Sequence, residues 1–336
     1  MRNFDYAVAS RVEDAVVADG ANTMPIAGGT ELLNWFRLGI AAADRVIDIG
    51  RIDGLSSIEI EADRLTVGAL ATLNEIGEHR SVREHALALS QACLAAASPQ
   101  VRNRATLGGN VLQKTRCAYF RAEAPLPWGC NKRMPGSGCA ARDGLNERHA
   151  IFGWTDACVA TQPSDPVVAL AALDATVEIH GRDGRRTLPV ADLHLTQEEA
   201  ASEGLDAACT ETRLRPGDII VAYHVPIRRG LRSAYIKVRE RASYEYALVS
   251  AAVAVTLDGG RISQIVIMLG SVAQKPWRLT AAEQKLVGQA PTRDVVLACL
   301  GESLKEARPL ARNGYKIAMV AGAVARAIAT AVGDVR

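Results

Sequence analysis

The sequence predicts an α/β or α+β protein of two or three domains, and three observations carry that prediction. The chain has 336 residues; at roughly 150 residues per domain each unit is large enough to bury its own core without disulfides or metals. Hydrophobic residues make up 49% and charged residues 23% of the chain, while Phe, Trp and Tyr reach only 4%. The core is therefore expected to be aliphatic, with many small residues allowing close approach. Finally, short strand-like runs alternate with Ala- and Leu-rich helical stretches, and the last third reads as hairpin-linked strands followed by helices.

Charge and cysteine content narrow the class further. Lys and Arg number 39 against 37 Asp and Glu, a balance that calls for neither a nucleic-acid nor a membrane partner. Seven cysteines, an odd number, argue against an extracellular disulfide framework and for free or metal-bound thiols. Met1–Ser10 carries an acid and lacks a long apolar run, so no secretory signal is expected. No stretch of about eighteen uncharged apolar residues predicts a membrane span. The expected location is the cytoplasm, or the periplasm by export on a partner's signal.

The elements follow in order. Val12–Ala18 is read as a helix, Met24–Ala27 as a strand, Thr30–Leu38 as a helix after Gly28-Gly29, and Arg45–Ile49 as a strand, together a βαβ unit. Arg64–Val67 reads as a strand, Leu73–His79 and Arg83–Ala97 as helices, the latter ended by Ser98-Pro99. Residues 99–165 lose periodicity and are rich in Gly, Pro, Arg, Asn and Cys. So long an irregular stretch inside a compact protein needs something to hold it. Regularity returns with a helix at Val167–Ala172 and a strand at Thr176–His180. A Gly-rich hairpin turn leads to Thr187–Val190, and a strand at Ile219–Val225 closes this part. Beyond Pro226 come Ser233–Arg239, a helix-or-strand at Leu248–Leu257, a turn at Gly259-Gly260, and Ile262–Leu269. Helices are expected at Ala281–Val287, Asp294–Leu304 and Gly314–Val332. The domain cut falls at Pro226–Gly230.

Two Gly-Gly turns point to an anion. In Pro25-Ile26-Ala27-Gly28-Gly29-Thr30-Glu31-Leu32 a strand stub runs through paired glycines into a helix start. The glycines permit positive φ and close approach of backbone N–H groups to phosphate, and Thr30 is positioned to cap the helix. Arg102-Asn103-Arg104-Ala105-Thr106-Leu107-Gly108-Gly109-Asn110-Val111 repeats the device, and two such nests suit a diphosphate. Gly-Gly pairs also occur as ordinary tight turns. No P-loop is present, and the one G-x-G-x-x-A match, Gly136–Ala141, follows no strand, which disfavours a dinucleotide-binding Rossmann domain.

The irregular segment also holds Cys117, Cys130, Cys139 and Cys158, separated by 12, 8 and 18 residues. Their thiolates have the freedom to converge on one metal centre, and the spacing leaves zinc and iron–sulfur both open. Cys93, Cys209 and Cys299 sit among Ala and Leu and are read as inert helical thiols. Between residues 102 and 133, Arg102, Arg104, Lys114, Arg116, Arg121, Lys132 and Arg133 face the single acid Glu123. That surplus suits a diphosphate beside a thiolate cluster; an RNA patch is ranked lower because interleaved aromatics are few.

Taken in order, Ala27–Leu32, Arg102-Asn103-x-Ala105-Thr106-Leu107-Gly108-Gly109-Asn110 and Gln162-Pro163-Ser164-Asp165-Pro166 resemble the FAD-binding medium subunit of the xanthine dehydrogenase family of molybdenum hydroxylases. The resemblance runs from end to end. The cysteine segment, with Arg116-Cys117-x-Tyr119-Phe120-Arg121, Cys130–Cys139 and Cys158-Val159-Ala160-Thr161, resembles an insertion found in some members. It is most similar to the flavoprotein subunit of bacterial molybdenum aldehyde oxidoreductases.

The resemblance implies a vanillyl-alcohol-oxidase (PCMH)-type FAD-binding domain of two subdomains over residues 1–226, with an iron–sulfur insertion at about 113–160, and a smaller α+β C-terminal domain over 227–336. It implies FAD held by Ile26, Ala27, Gly28, Gly29, Thr30, Glu31 and Leu32, by Thr106, Gly108, Gly109 and Asn110, by Ser164 and Asp165, by Ile220, and by Lys237 near the isoalloxazine ring. It implies a [4Fe–4S] cluster on Cys117, Cys130, Cys139 and Cys158. No acid–base catalytic residue is implied, because the side chains tune and position the flavin. The implied partners are a large molybdenum-cofactor subunit, a small [2Fe–2S] subunit and an external electron acceptor. Electrons would pass from the partners through FAD to that acceptor. The competing readings are the same subunit type in a hydroxybenzoyl-CoA reductase or N-heterocycle hydroxylase and, from another class, a zinc-stabilised scaffold or RNA-binding protein. A carbon monoxide dehydrogenase is disfavoured by the cysteine insertion.

Overall fold

The structure, a computed structural model, describes residues 2–16 and 22–333. Three sheets organise the chain. The first is built from β1 (Asp5–Val8), α1 (Val12–Ala15), β2 (Thr23–Ile26), α2 (Leu32–Arg37) and β3 (Arg45–Asp48). Its strands run parallel in the order β1-β3-β2, so β2, α2 and β3 form the expected βαβ unit. The predicted helix from Val12 reaches Ala15; its last two residues lie outside the described residues. One face of β3 buries Ile47 against Leu70, Ile219 and Val221, and the other buries Val46 against Leu32 and Phe36.

The second sheet begins with β4 (Ile58–Ile60) and β5 (Arg64–Gly68). Helices α3 (Leu73–Glu78), α4 (Arg80–His85) and α5 (Leu87–Ala95) follow, so the single helix expected at Arg83–Ala97 is two, broken at Ala86 and ended at Ala96. Ser98-Pro99 does more than end it: the Ser98 hydroxyl accepts from the Val101 N–H and caps a further turn, α6 (Pro99–Arg102). The irregular stretch then contains only α7 (Leu107–Val111) and α8 (Ala118–Arg121) before α9 (Asp165–Ala172). The second sheet is completed by β6 (Thr176–Gly181) and β7 (Gly184–Pro189), then, after α10 (Val190–Leu193) and α11 (Gln197–Ser202), by β8 (Ile219–Pro226). Its order is β4-β5-β8-β6-β7, antiparallel throughout.

The chain leaves the second sheet at Pro226 and enters the third at β9 (Arg232–Val238). It continues through β10 (Val249–Asp258), β11 (Arg261–Gly270) and β12 (Trp277–Arg278) to α12 (Thr280–Leu286), α13 (Arg293–Leu304) and α14 (Tyr315–Val332). Every residue from Val249 to Val255 is buried, because the two faces of β10 serve different cores. Ala252 and Ala254 join the core that holds α5, α9 and the second sheet, whereas Ala251, Val253 and Val255 join the one that holds α12–α14. By length and hydropathy α14 is the one helix among the described residues able to cross a membrane; here it packs on β9 and β10 through Val320, Val324 and Ile328.

Candidate functional site

The two glycine turns meet. Gly28 packs so tightly on the Arg104 carbonyl that a Cβ would overlap the oxygen, which brings the segment before α2 against the segment before α7. Gly29 takes a φ of 73°, the left-handed conformation that glycine adopts without a steric cost. The backbone N–H groups of Gly28, Gly29, Thr30 and Glu31 have no partner among the described residues, so this turn presents unspent donors. Thr30 does not cap the helix: the cap position falls on Glu31 and carries no side-chain hydrogen bond.

The second turn works differently from the first. Neither Gly108 nor Gly109 has positive φ, and both lie in α7, which Thr106 caps by accepting from the Gly109 N–H at 3.3 Å. Its amides are already used, Leu107 donating to Ala71, Gly108 to Ala69 and Asn110 to Thr106. One free nest and one glycine-surfaced helix start therefore face each other, in place of two equivalent nests. Ile220 lies one step behind: the Val221 carbonyl accepts from Ala69, whose own carbonyl accepts from Gly108, at 2.9 and 2.8 Å. The Ile220 side chain is in the core with Leu107.

The third motif closes on the second. Ser164 Oγ donates to Asn110 Oδ1 at 2.7 Å, and Ser164 also caps α9. Asp165, first in α9 and buried, accepts from Lys237 Nζ at 2.8 Å and from the Tyr235 hydroxyl. Only 3% of the Lys237 side chain is exposed, and its ammonium also donates to the Ala95 carbonyl at 3.2 Å. Lys237 is thus a buried ion-pair partner that ties β9 to α5 and α9, not a surface lysine.

The four cysteines of the irregular segment line one small pocket, together with Thr115, Phe120, Asn131 and Lys132. Cys130 and Cys139 face each other across an antiparallel bridge, and Gly129 makes that hairpin possible because a Cβ there would overlap the Ser137 carbonyl. The thiol of Cys139 is lowered to about 6, chiefly by a hydrogen bond from Cys158, whose own thiol that bond and burial hold well above the usual range. Burial pushes Cys117 up to about 11. One backbone amide among the described residues meets a sulfur directly: the Ala160 N–H donates to Cys158 Sγ at 3.5 Å. Among the described residues no three of His, Cys, Asp or Glu stand close enough to share a single metal ion. The donor set is four thiols lining one pocket, two of them, Cys139 and Cys158, within hydrogen-bond reach of each other, and four thiols are chemistry that suits either zinc or an iron–sulfur cluster.

The remaining cysteines divide. Cys93 is buried in α5 and Cys299 lies on α13, whereas Cys209 is exposed in a turn outside any helix and donates to the Asn131 carbonyl at 3.3 Å. The basic surplus is also spent differently from expectation. Lys114 and Lys132 both pair with Glu211, at 2.7 and 2.8 Å. Arg116 reaches Glu31 at 2.9 Å and Arg121 joins it, while Arg133 donates to the carbonyls of Phe120, Ala122, Leu38 and Gly39. The insertion's cations bind carbonyls within the loop and acids and carbonyls beyond it, and so fasten the loop to its surroundings. Burial raises the Glu31 carboxyl, but Arg116 and Arg121 together bring it below its ordinary value.

Several residues with no sequence motif complete the region. Tyr246 stacks under Arg116 at 4.5 Å, Glu211 joins two lysines of the insertion, and Tyr235 shares Asp165. His149 lies 3.2 Å from the Cys117 sulfur. A lone His between Arg148 and Ala150 carries no spacing signal.

The FAD binding domain in molybdopterin dehydrogenase matches residues 2–228, and the CO dehydrogenase flavoprotein C-terminal domain matches residues 234–331. The chain is 41% identical to the aldehyde oxidoreductase FAD-binding subunit PaoB of Escherichia coli K12, over 91% of this chain and 90% of that one. It is 25% identical to the carbon monoxide dehydrogenase medium chain of Hydrogenophaga pseudoflava, over 97% and 96%. A solved structure of carbon monoxide dehydrogenase from the same organism superposes with a TM-score of 0.74 at 25% identity, covering 100% of this chain and 99% of that one. Quinoline 2-oxidoreductase of Pseudomonas putida 86 shares the fold, with a TM-score of 0.73 at 21% identity over 99% and 98%.

Proposed function

The chain belongs to the family of FAD-binding subunits of molybdopterin dehydrogenases, and on that premise we propose that it is the flavin-carrying electron-transfer subunit of a molybdenum aldehyde oxidoreductase. It would work with a large molybdenum-cofactor subunit and a small [2Fe–2S] subunit and pass electrons to an external acceptor. The 41% identity to an aldehyde oxidoreductase subunit supports the substrate class. The observation that carries the flavin site is the convergence of three separate motifs on one place: Gly28 against Arg104, and Asn110 bonded to Ser164.

Within that reading, residues 1–226 form the flavin domain and 227–336 the C-terminal domain. The free amides of Gly28–Glu31 would receive phosphate oxygens, while Thr106, Gly109, Asn110 and Ser164 would border the diphosphate from the facing side. Asp165 would hold Lys237 in place beside the ring. Cys117, Cys130, Cys139 and Cys158 would hold a [4Fe–4S] cluster, and Cys158 is joined to Ser164 by only five intervening residues, a short covalent route between the two cofactors. Bound FAD and cluster would supply reversible electron storage; the chain's own groups bind, orient and exclude water.

The test is made on the assembled complex. Aldehyde added without oxygen is expected to bleach the flavin band when the partner subunits are present and to leave it unchanged when this chain is alone. Bleaching by a purine or an N-heterocycle, with none by aldehydes, would move the chain to a different branch of the family.

A further inference from the structure

We infer that His149 is a positioning residue for the four-cysteine centre: its Nε2–H donates to the Cys117 sulfur and raises the reduction potential there, and the C-terminal domain holds it in register. The inference rests on the iron–sulfur reading of the four cysteines.

Three observations carry it. His149 is buried, 6% exposed, and its ring makes one polar contact, Nε2 to Cys117 Sγ at 3.2 Å, while Nδ1 is buried with no partner. A buried imidazole that leaves one nitrogen unsatisfied is retained at a cost, and the sulfur contact is what its polarity serves. A cysteine bound to iron has lost its proton, so in the loaded site the imidazole must be the donor. Finally, the contact is asymmetric: the Lys132 ammonium acts on Cys130 and Cys158 through its charge alone, whereas His149 hydrogen-bonds directly to Cys117 Sγ.

The backbone around His149 is fixed from outside the insertion. Its carbonyl accepts from Lys316 Nζ at 2.8 Å and from Asn313 Nδ2 at 3.2 Å, and Asn313 also reaches the Ala150 carbonyl at 3.0 Å. Lys316 and Asn313 are fully buried. The Arg312 N–H donates to Asn146 Oδ1 at 3.0 Å. Residues 146–150 are thereby strapped to residues 312–316 at the start of α14. Hydrogen bonds to cluster sulfurs withdraw electron density and favour the more negative, reduced state.

The experiment is an EPR-monitored redox titration of the full chain with iron and sulfide assays, on the wild type, His149→Leu and His149→Gln. The expected result is equal iron in all three, a more negative midpoint potential in H149L, and a potential in H149Q moved back toward the wild type, because the Gln amide restores a donor. Loss of iron in H149L with retention in H149Q also supports the role of the donor. An unchanged potential in H149L with full iron would overturn the inference and leave the cluster reading standing, as would iron loss in both variants, which would mark the ring as packing alone. A wild-type chain that holds no iron or sulfide would overturn the cluster reading itself.

Discussion

The Gly28 α-carbon rests on the Arg104 carbonyl oxygen, and this contact fastens the two glycine turns into one site. An added methyl has no space to enter, because the atom it meets is backbone and cannot rotate away. Gly28→Ala is therefore expected to force the turns apart, at a cost of about 1–3 kcal/mol, and to lose most of the bound flavin while iron content stays at the wild-type level. Flavin released by acid and quantified per chain reads the outcome. Full flavin occupancy in G28A would separate the contact from cofactor binding.

Asp165 and Lys237 form an ion pair with both side chains almost wholly buried, at 2.8 Å. Removing one partner leaves the other charged, buried and unpaired, so Asp165→Ala is expected to destabilise the chain by about 3–5 kcal/mol. Asp165→Leu combined with Lys237→Met removes both charges and is expected to recover much of that loss. Urea midpoints of the single and double variants measure it, and equal loss in both would show that the pair's role lies in packing.

Glu211 carries the pH dependence of the insertion's anchorage. Burial raises its carboxyl, but Lys132 and Lys114 together bring it down to about 2, against about 4.3 in an unfolded chain. A carboxyl depressed in the folded state stabilises fully above the unfolded value and loses that contribution as the pH falls toward the folded one. The urea midpoint is therefore expected to fall as the pH drops from about 5 through about 2, with a shallower slope in Glu211→Gln. Identical slopes in the two proteins would show that Glu211 does not anchor the loop.

Much of this was legible in the sequence, and the gaps have physical causes. The βαβ start and the hairpin at Gly259-Gly260 follow from local rules. The run at Val249–Val255 read equally as helix or strand because both faces of β10 are buried, which erases the alternation that marks a strand. The second glycine turn looked like a copy of the first, yet α7 spends its amides on Ala69, Ala71 and Thr106, partners far apart in sequence or set by the cap. The basic residues read as unspent charge because their acids, Glu31 and Glu211, lie outside the segment. His149 was invisible for the same reason, since its neighbour Cys117 and its clamp Lys316 are 32 and 167 residues away.

The most direct measurement is an anaerobic ultraviolet–visible spectrum of the purified chain, with iron and sulfide assays, before and after Cys130→Ser. Flavin bands with a broad iron–sulfur shoulder, and about four irons per chain that fall away in the variant while the flavin remains, are the predicted result. A colourless protein that also fails to take up added FAD would contradict the account.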